Sequence, residues 1–109
     1  MTKVERRKML MRYRDSIKGK KFNPEDRDAY IELYKLLSDT GCLDYDYADH
    51  LRKGKFSESI SDVENFSFIE CCAYLTLIVR GERFESDWFG KCLDDGSIYK
   101  LMKRVVEVM

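Results

Sequence analysis

Four groups of residues in this 109-residue chain are of the right type for chemistry. His50 follows Asp46 and Asp49, and an imidazole among carboxylates suits a general base. That role also needs a nucleophile in reach, and the sequence holds no nucleophile elbow, so His50 reads as a solvated side chain on a charged helix. Asp44, Asp46 and Asp49 are spaced as calcium ligands often are. The run lacks the glycine and the twelfth-position glutamate of an EF-hand, because Tyr45 and Tyr47 intervene and Lys55 stands in the glutamate's place. A solvated acidic face, or a face for a basic partner, is the better reading. Cys42, Cys71, Cys72 and Cys92 include no CxxC pair, and His50 is the only histidine, so no zinc site is expected. Cys71 and Cys72 are adjacent and point about 100° apart on a helix. All four cysteines read as reduced, small core hydrophobes, as in a cytoplasmic protein, and no disulfide is expected within the chain.

The fourth group is Arg80, Glu82 and Arg83, placed where an apolar run ends. Guanidinium forks bind anions and carboxylates bidentately, so the three residues suit an anionic substrate or a partner's carboxylate. The structural alternative has one arginine pairing with an acid of the 44–49 stretch or with Glu70 while capping the last helical carbonyls. Phe84 and Trp88 then close the core above it. No GxxxxGK[ST], GxGxxG or HExxH pattern occurs, so phosphate-loop, dinucleotide and zincin chemistry have no support, and no cofactor is expected.

Charge separates the chain into two parts. Lysine plus arginine and aspartate plus glutamate both number 20. Within residues 1–21, however, nine basic residues face two acids, a balance of +7; the other 88 residues hold 11 basic and 18 acidic side chains, a balance of −7. Arg6, Arg7, Arg12 and Arg14 lie in the basic part. Zero net charge argues against a generic nucleic-acid or anionic-membrane binder, while a +7 segment leaves room for a local one. With 37% charged and 44% apolar residues and one proline, the chain is neither a membrane span nor a disordered tail.

Elements must position these groups, and the periodicity predicts helices. Residues 3–18 place Met9, Leu10, Tyr13 and Ile17 on one stripe, and Gly19 ends the helix. Asn23-Pro24-Glu25-Asp26 has the composition of a helix start, Tyr30, Leu33, Tyr34 and Leu37 form the next stripe, and Gly41 fits a left-handed exit. A shorter helix is expected over residues 44–53 up to Gly54, with loop over 55–60. Ser61-Asp62-Val63-Glu64 matches a capping box and opens a central helix of about 62–80. Phe68, Ile69, Cys72, Leu75, Thr76 and Val79 are its expected core. A short helix capped by Ser86 or Asp87 runs through Leu93, and a last one, capped by Ser97, carries Ile98, Leu101, Met102, Val105 and Val106. No stretch alternates with period two. The fold class is all-α: one domain, residues 1–109, a compact bundle of five or six helices around a buried central helix, with the basic helix packed on it.

The segments "LTLIVRGERF", "DWFGKCLDDG" and "IYKLMKRV" resemble an uncharacterised bacterial family of unknown function, with R-G-E-R-F at the end of an apolar helix, then a tryptophan and a glycine. The resemblance covers residues 75–105 and is faint over 1–60. The family usually continues with Arg-Leu, where this chain has Arg104-Val105. It implies an all-helical fold and no established activity.

The expected function is a non-catalytic protein-interaction module. A regulator or inhibitor of a larger complex, such as phages and mobile elements encode against host defences, fits a small domain with two oppositely charged surfaces. Its expected contact residues are Arg6, Arg7, Arg12, Arg14, Arg80, Glu82, Arg83, Trp88, Asp44, Asp46 and Asp49, and a homodimer through the opposite charges is compatible with them. The first alternative is a nucleic-acid-binding protein that tracks phosphates with the basic helix and stacks Tyr13 on bases. The second is an enzyme acting on an anionic substrate at Arg80, Glu82 and Arg83.

Overall fold

Burial of one helix organises the rest. In the computed structural model, which describes residues 1–53, 60–81 and 88–109, helix α4 spans Phe68–Gly81. Cys71, Cys72, Ala73, Leu75, Thr76, Ile78, Val79 and Gly81 are all buried in it. A helix apolar on nearly every face needs neighbours all round, and α4 has them in α2 (Ala29–Asp39), α3 (Tyr47–Lys53), α5 (Trp88–Asp94) and α6 (Ser97–Val108). Helix α1 (Lys3–Ile17) lies outside this group and packs mainly along α6. No strand occurs among the described residues, so the all-α bundle with a buried central helix is correct. Gly54, residues 55–59 of the loop expected over 55–60, Phe84 and the capping Ser86 or Asp87 lie outside the described residues, while Ile60, also expected in that loop, opens a 3₁₀ helix.

Three helix starts differ from expectation; the simplest is that of α3, which begins at Tyr47 and not at residue 44. The central helix begins at Phe68, not near residue 62, and a short 3₁₀ helix, Ile60–Asn65, occupies the earlier stretch. The working capping box is Ser67/Glu70. The Glu70 N–H donates to Ser67 Oγ at 3.2 Å, and the Ser67 N–H donates to the Glu70 carboxylate at 3.1 Å. This late start also exposes Ile69, 57% accessible in the first turn, which was expected in the core. Helix α2 begins at Ala29, not at Asn23. Asn23 instead folds a turn: its side chain accepts from the Glu25 N–H and its carbonyl from the Asp26 N–H. Residues 23–28 carry no side chain larger than a proline that a helix would bury, so nothing draws them into one.

The exits follow glycine chemistry. At the end of α2, Gly41 takes φ 74°, the Cys42 N–H donates to the Leu37 carbonyl at 2.8 Å, and the Gly41 N–H donates to Ser38 O at 3.3 Å. This is a Schellman exit, and it turns Cys42 into the core. The cap of α6 is Gly96, at φ 83°, and not Ser97, which is buried as the first helical residue; the Asp95 carboxylate before the cap accepts from the Ser97 N–H at 2.8 Å.

Connections are fastened by aromatic residues seated on glycines. A Cβ at Gly90 would stand 2.6 Å from the Phe22 ring, and one at Gly81 only 2.0 Å from the Trp88 indole. Phe22 also meets Phe89 edge-on at 6.3 Å, and its N–H donates to the Asp94 carboxylate at 2.7 Å. The linker after α1 is thereby pinned to α5, and the start of α5 to the end of α4. Arg104 donates from Nε to the Phe66 carbonyl at 2.9 Å and ties the segment before α4 to α6.

Leu75→Ala removes a fully buried side chain and should cost about 2–5 kcal/mol in chemical denaturation, whereas Ile69→Ala should cost under about 1 kcal/mol. Gly90→Ala should cost about 1–3 kcal/mol, because Phe22 has to leave its seat.

Candidate functional site

Helix α1 is built as a narrow apolar stripe under a basic face. Leu10, Tyr13 and Ile17 are buried, and Thr2 caps the start by accepting from the Glu5 N–H at 3.1 Å. Arg7 and Arg12 are exposed, as are Lys3, Lys8 and Lys18. Arg14 is half-buried and pairs with Asp15 at 3.0 Å. Among the described residues no acid lies within ion-pair distance of Lys3, Arg7, Lys8 or Arg12. Arg12 borders a groove between α1 and α2 whose other walls include Met9, Glu32, Lys35 and Asp39. Tyr13 lies in the core, where burial and then the Glu32 charge push its hydroxyl well above the usual tyrosine range. It cannot stack on bases from there, and α1 holds no other aromatic residue.

Arg6 parts company with the other arginines. Positions 6, 10, 13 and 17 share one helix face, so Arg6 extends the buried stripe. It is half-buried, its Nε is buried with no hydrogen-bond partner among the described residues, and its Nη1 lies 3.6 Å from where a Cβ on Gly41 would stand. The guanidinium therefore sits beside the Gly41–Cys42 turn. The spacing of Arg6 from Leu10 was the available signal.

The acidic residues do not form one patch. Asp44 is half-buried: its Oδ2 lies 2.6 Å from His50 Nδ1, and its Oδ1 accepts from the Asp46 N–H at 2.9 Å. His50 is thus held by a carboxylate rather than freely solvated. Asp46 and Asp49 are exposed. The Asp44 N–H donates to Thr76 Oγ1 at 3.0 Å, and the same hydroxyl donates to the Cys72 carbonyl at 2.7 Å. One fully buried threonine thus fastens the turn before α3 to the middle of α4.

At the far end of α4, Arg80 stacks over the Tyr45 ring, 5.9 Å from its centroid. The residue it meets in the 44–49 stretch is this aromatic ring, where an acid was expected. Arg80 Nε is buried and has no hydrogen-bond partner among the described residues. Trp88 is half-buried against Gly81. Glu82 and Arg83 lie outside the described residues. Arg80 and Trp88 therefore belong to the α4–α5 end, Asp44 and Arg6 to the exit of α2, and Arg7 and Arg12 to the outer face of α1. No group of three or more potential metal ligands comes together among the described residues.

The four cysteines are free thiols, all buried. Cys42, just past the end of α2, and Cys72, in α4, border one cleft and act on each other's titration, a pairing that their sequence positions did not suggest. Burial pushes the Cys71 thiol up to about 12.

This bundle, with its glycine seats and basic outer helix, falls in an uncharacterised class. The chain belongs to the family of unknown function DUF6508, whose match covers residues 20–109 and so begins just after α1. No curated protein and no solved structure matches the chain. No helix among the described residues is long and apolar enough to cross a membrane.

Thr76→Val keeps the shape but leaves the Asp44 N–H without its acceptor. It should cost about 1–3 kcal/mol, while Thr76→Ser should retain most of the stability; thermal melts of the two variants check this.

Proposed function

We propose that the chain is a non-catalytic interaction module of the cytoplasm, a regulator or inhibitor that docks the basic outer face of α1 on an acidic surface of a larger protein. The observation that carries this reading is the combination at α1. The helix is anchored by Leu10, Tyr13 and Ile17, while Lys3, Arg7, Lys8 and Arg12 face solvent with no acid of their own chain at ion-pair distance among the described residues. Such a face accelerates encounter with an acidic partner in a salt-dependent way. The acidic balance of residues 22–109 supports the same reading, because the chain's surplus positive charge lies in the segment that holds α1.

Nucleic acid is the second reading, supported by the same cations. The burial of Tyr13 weakens it, because phosphate contacts would then act without a base-stacking platform on this helix.

The double reversal Arg7→Glu/Arg12→Glu alters two exposed positions, so the melting temperature should barely move. Cross-linking in native cells followed by mass spectrometry should identify a partner for the parent chain, and affinity for that partner should fall at least about tenfold in the variant, or about 1.4 kcal/mol. Unchanged affinity removes α1 from the interface. Titration with duplex and single-stranded DNA at low and physiological salt decides for nucleic acid if binding is tight and falls steeply with salt.

A further inference from the structure

Two thiols that lie 30 residues apart in sequence meet at the exit of α2. The Schellman turn delivers Cys42, and the second turn of α4 delivers Cys72. The Cys42 thiol donates to the Thr40 carbonyl at 3.9 Å, and each thiol shifts the titration of the other, which places the two sulfurs as neighbours. Both border a cleft of about 190 Å³, room for several water molecules. Its other walls include Gly41, Asp44, His50 and the exposed Ile69, so the cleft reaches the surface where α4 starts late. Beside the same turn stands the Arg6 guanidinium. Thiols that serve only as filler need neither a neighbouring partner thiol, nor a cation at the turn, nor a cleft. The docking face on α1 uses none of these groups.

We propose that Cys42 and Cys72 form a hydroperoxide-reactive dithiol site, in which Cys42 is the attacking sulfur and Cys72 the resolving one.

The environment assigns those two roles. The neighbouring Cys72 thiol favours the thiolate of Cys42 against the opposing effect of burial, and the Thr40 side chain and the Arg6 charge act in the same direction. The Cys42 neighbour, together with burial, raises Cys72 and keeps it protonated. A thiolate is the reactive form of cysteine. In the first step the Cys42 thiolate attacks the distal oxygen of a hydroperoxide. An S–O bond forms and the O–O bond breaks, and the departing alkoxide or hydroxide takes a proton from water, leaving Cys42 as a sulfenic acid. In the second step Cys72 attacks that sulfur. The S–S bond forms, the S–O bond breaks, and the hydroxide leaves as water with the proton from Cys72. Two thiols are oxidised by two electrons and one peroxide is reduced to water and an alcohol, or to two waters.

The folded full-length chain is titrated with hydrogen peroxide, quenched, and its thiols are counted in denaturant. The count should fall from four to two, and the digested product should contain one cross-linked peptide pair joining Cys42 to Cys72. In Cys72→Ser the disulfide should vanish and dimedone should label Cys42. In Cys42→Ser the loss of the remaining thiols should slow by at least about tenfold. Four surviving thiols under excess peroxide overturn the proposal, as does a cross-link through Cys71 or Cys92, or one between two chains. If a serine variant fails to give the parent helical circular dichroism, the peptide map of the parent chain alone decides. The docking reading survives either result, since its own test changes only Arg7 and Arg12.

Discussion

The bundle depends on removing α4 from water. Ala73, Cys71, Leu75, Thr76 and Ile78 are fully buried, so the helix has almost no face that tolerates solvent. At about 25 cal/mol per Å² of apolar surface, a helix like this is stable only when enclosed. Four other helices supply the enclosure. Polar groups carried inside must then be satisfied internally, and Thr76 shows how: its hydroxyl accepts from one buried backbone group and donates to another. Helix α1 has a lighter task. It covers one side of α6 with three residues, and that is why most of its cations remain outside.

Periodicity made the helices legible where one face was clearly apolar. The stripe of α6, from Ile98 to Val106, is buried as its spacing requires, and so are Leu10, Tyr13 and Ile17 of the α1 stripe, with Met9 half-buried beside them. Starts were harder, because several segments offer cap residues and only tertiary packing chooses among them. Ser61 to Glu64 and Ser67 to Glu70 satisfy the same local rule, but only the second stands where the helix meets its neighbours. Ile69 shares a helical face with Cys72 and Thr76, yet it stands exposed in the first turn of α4, whose Phe68 and Cys71 pack on the core instead. Asn23 and Pro24 suit a turn as well as a helix start, and the pinning of Phe22 to Asp94 selects the turn.

The candidate site was less legible for the same reason. Charge and residue type marked the exposed basic face of α1, since exposed charge follows directly from composition and helical phase. The environment of Cys42 needs three segments at once: Arg6 from α1, the Gly41 exit of α2, and Cys72 from α4. No local pattern encodes such a meeting. His50 gave a misleading signal for a related reason, because its partner Asp44 is six positions away, across a turn whose shape is set by Thr76.

The placement of α1 on α6 also orders events during synthesis. Eighty positions separate the end of one helix, Ile17, from the start of the other, Ser97. At about 5–20 residues per second, the ribosome takes about 4–16 s to make that stretch. Throughout that interval the seat for Leu10, Tyr13 and Ile17 does not exist, and the nascent helix waits with its apolar stripe uncovered. A wide stripe in that position would invite aggregation. Three side chains flanked by a dense row of like charges do not, because strands carrying the same segment repel one another. The surplus positive charge of α1, on which the proposed docking rests, therefore also keeps the growing chain apart from its neighbours until α6 arrives.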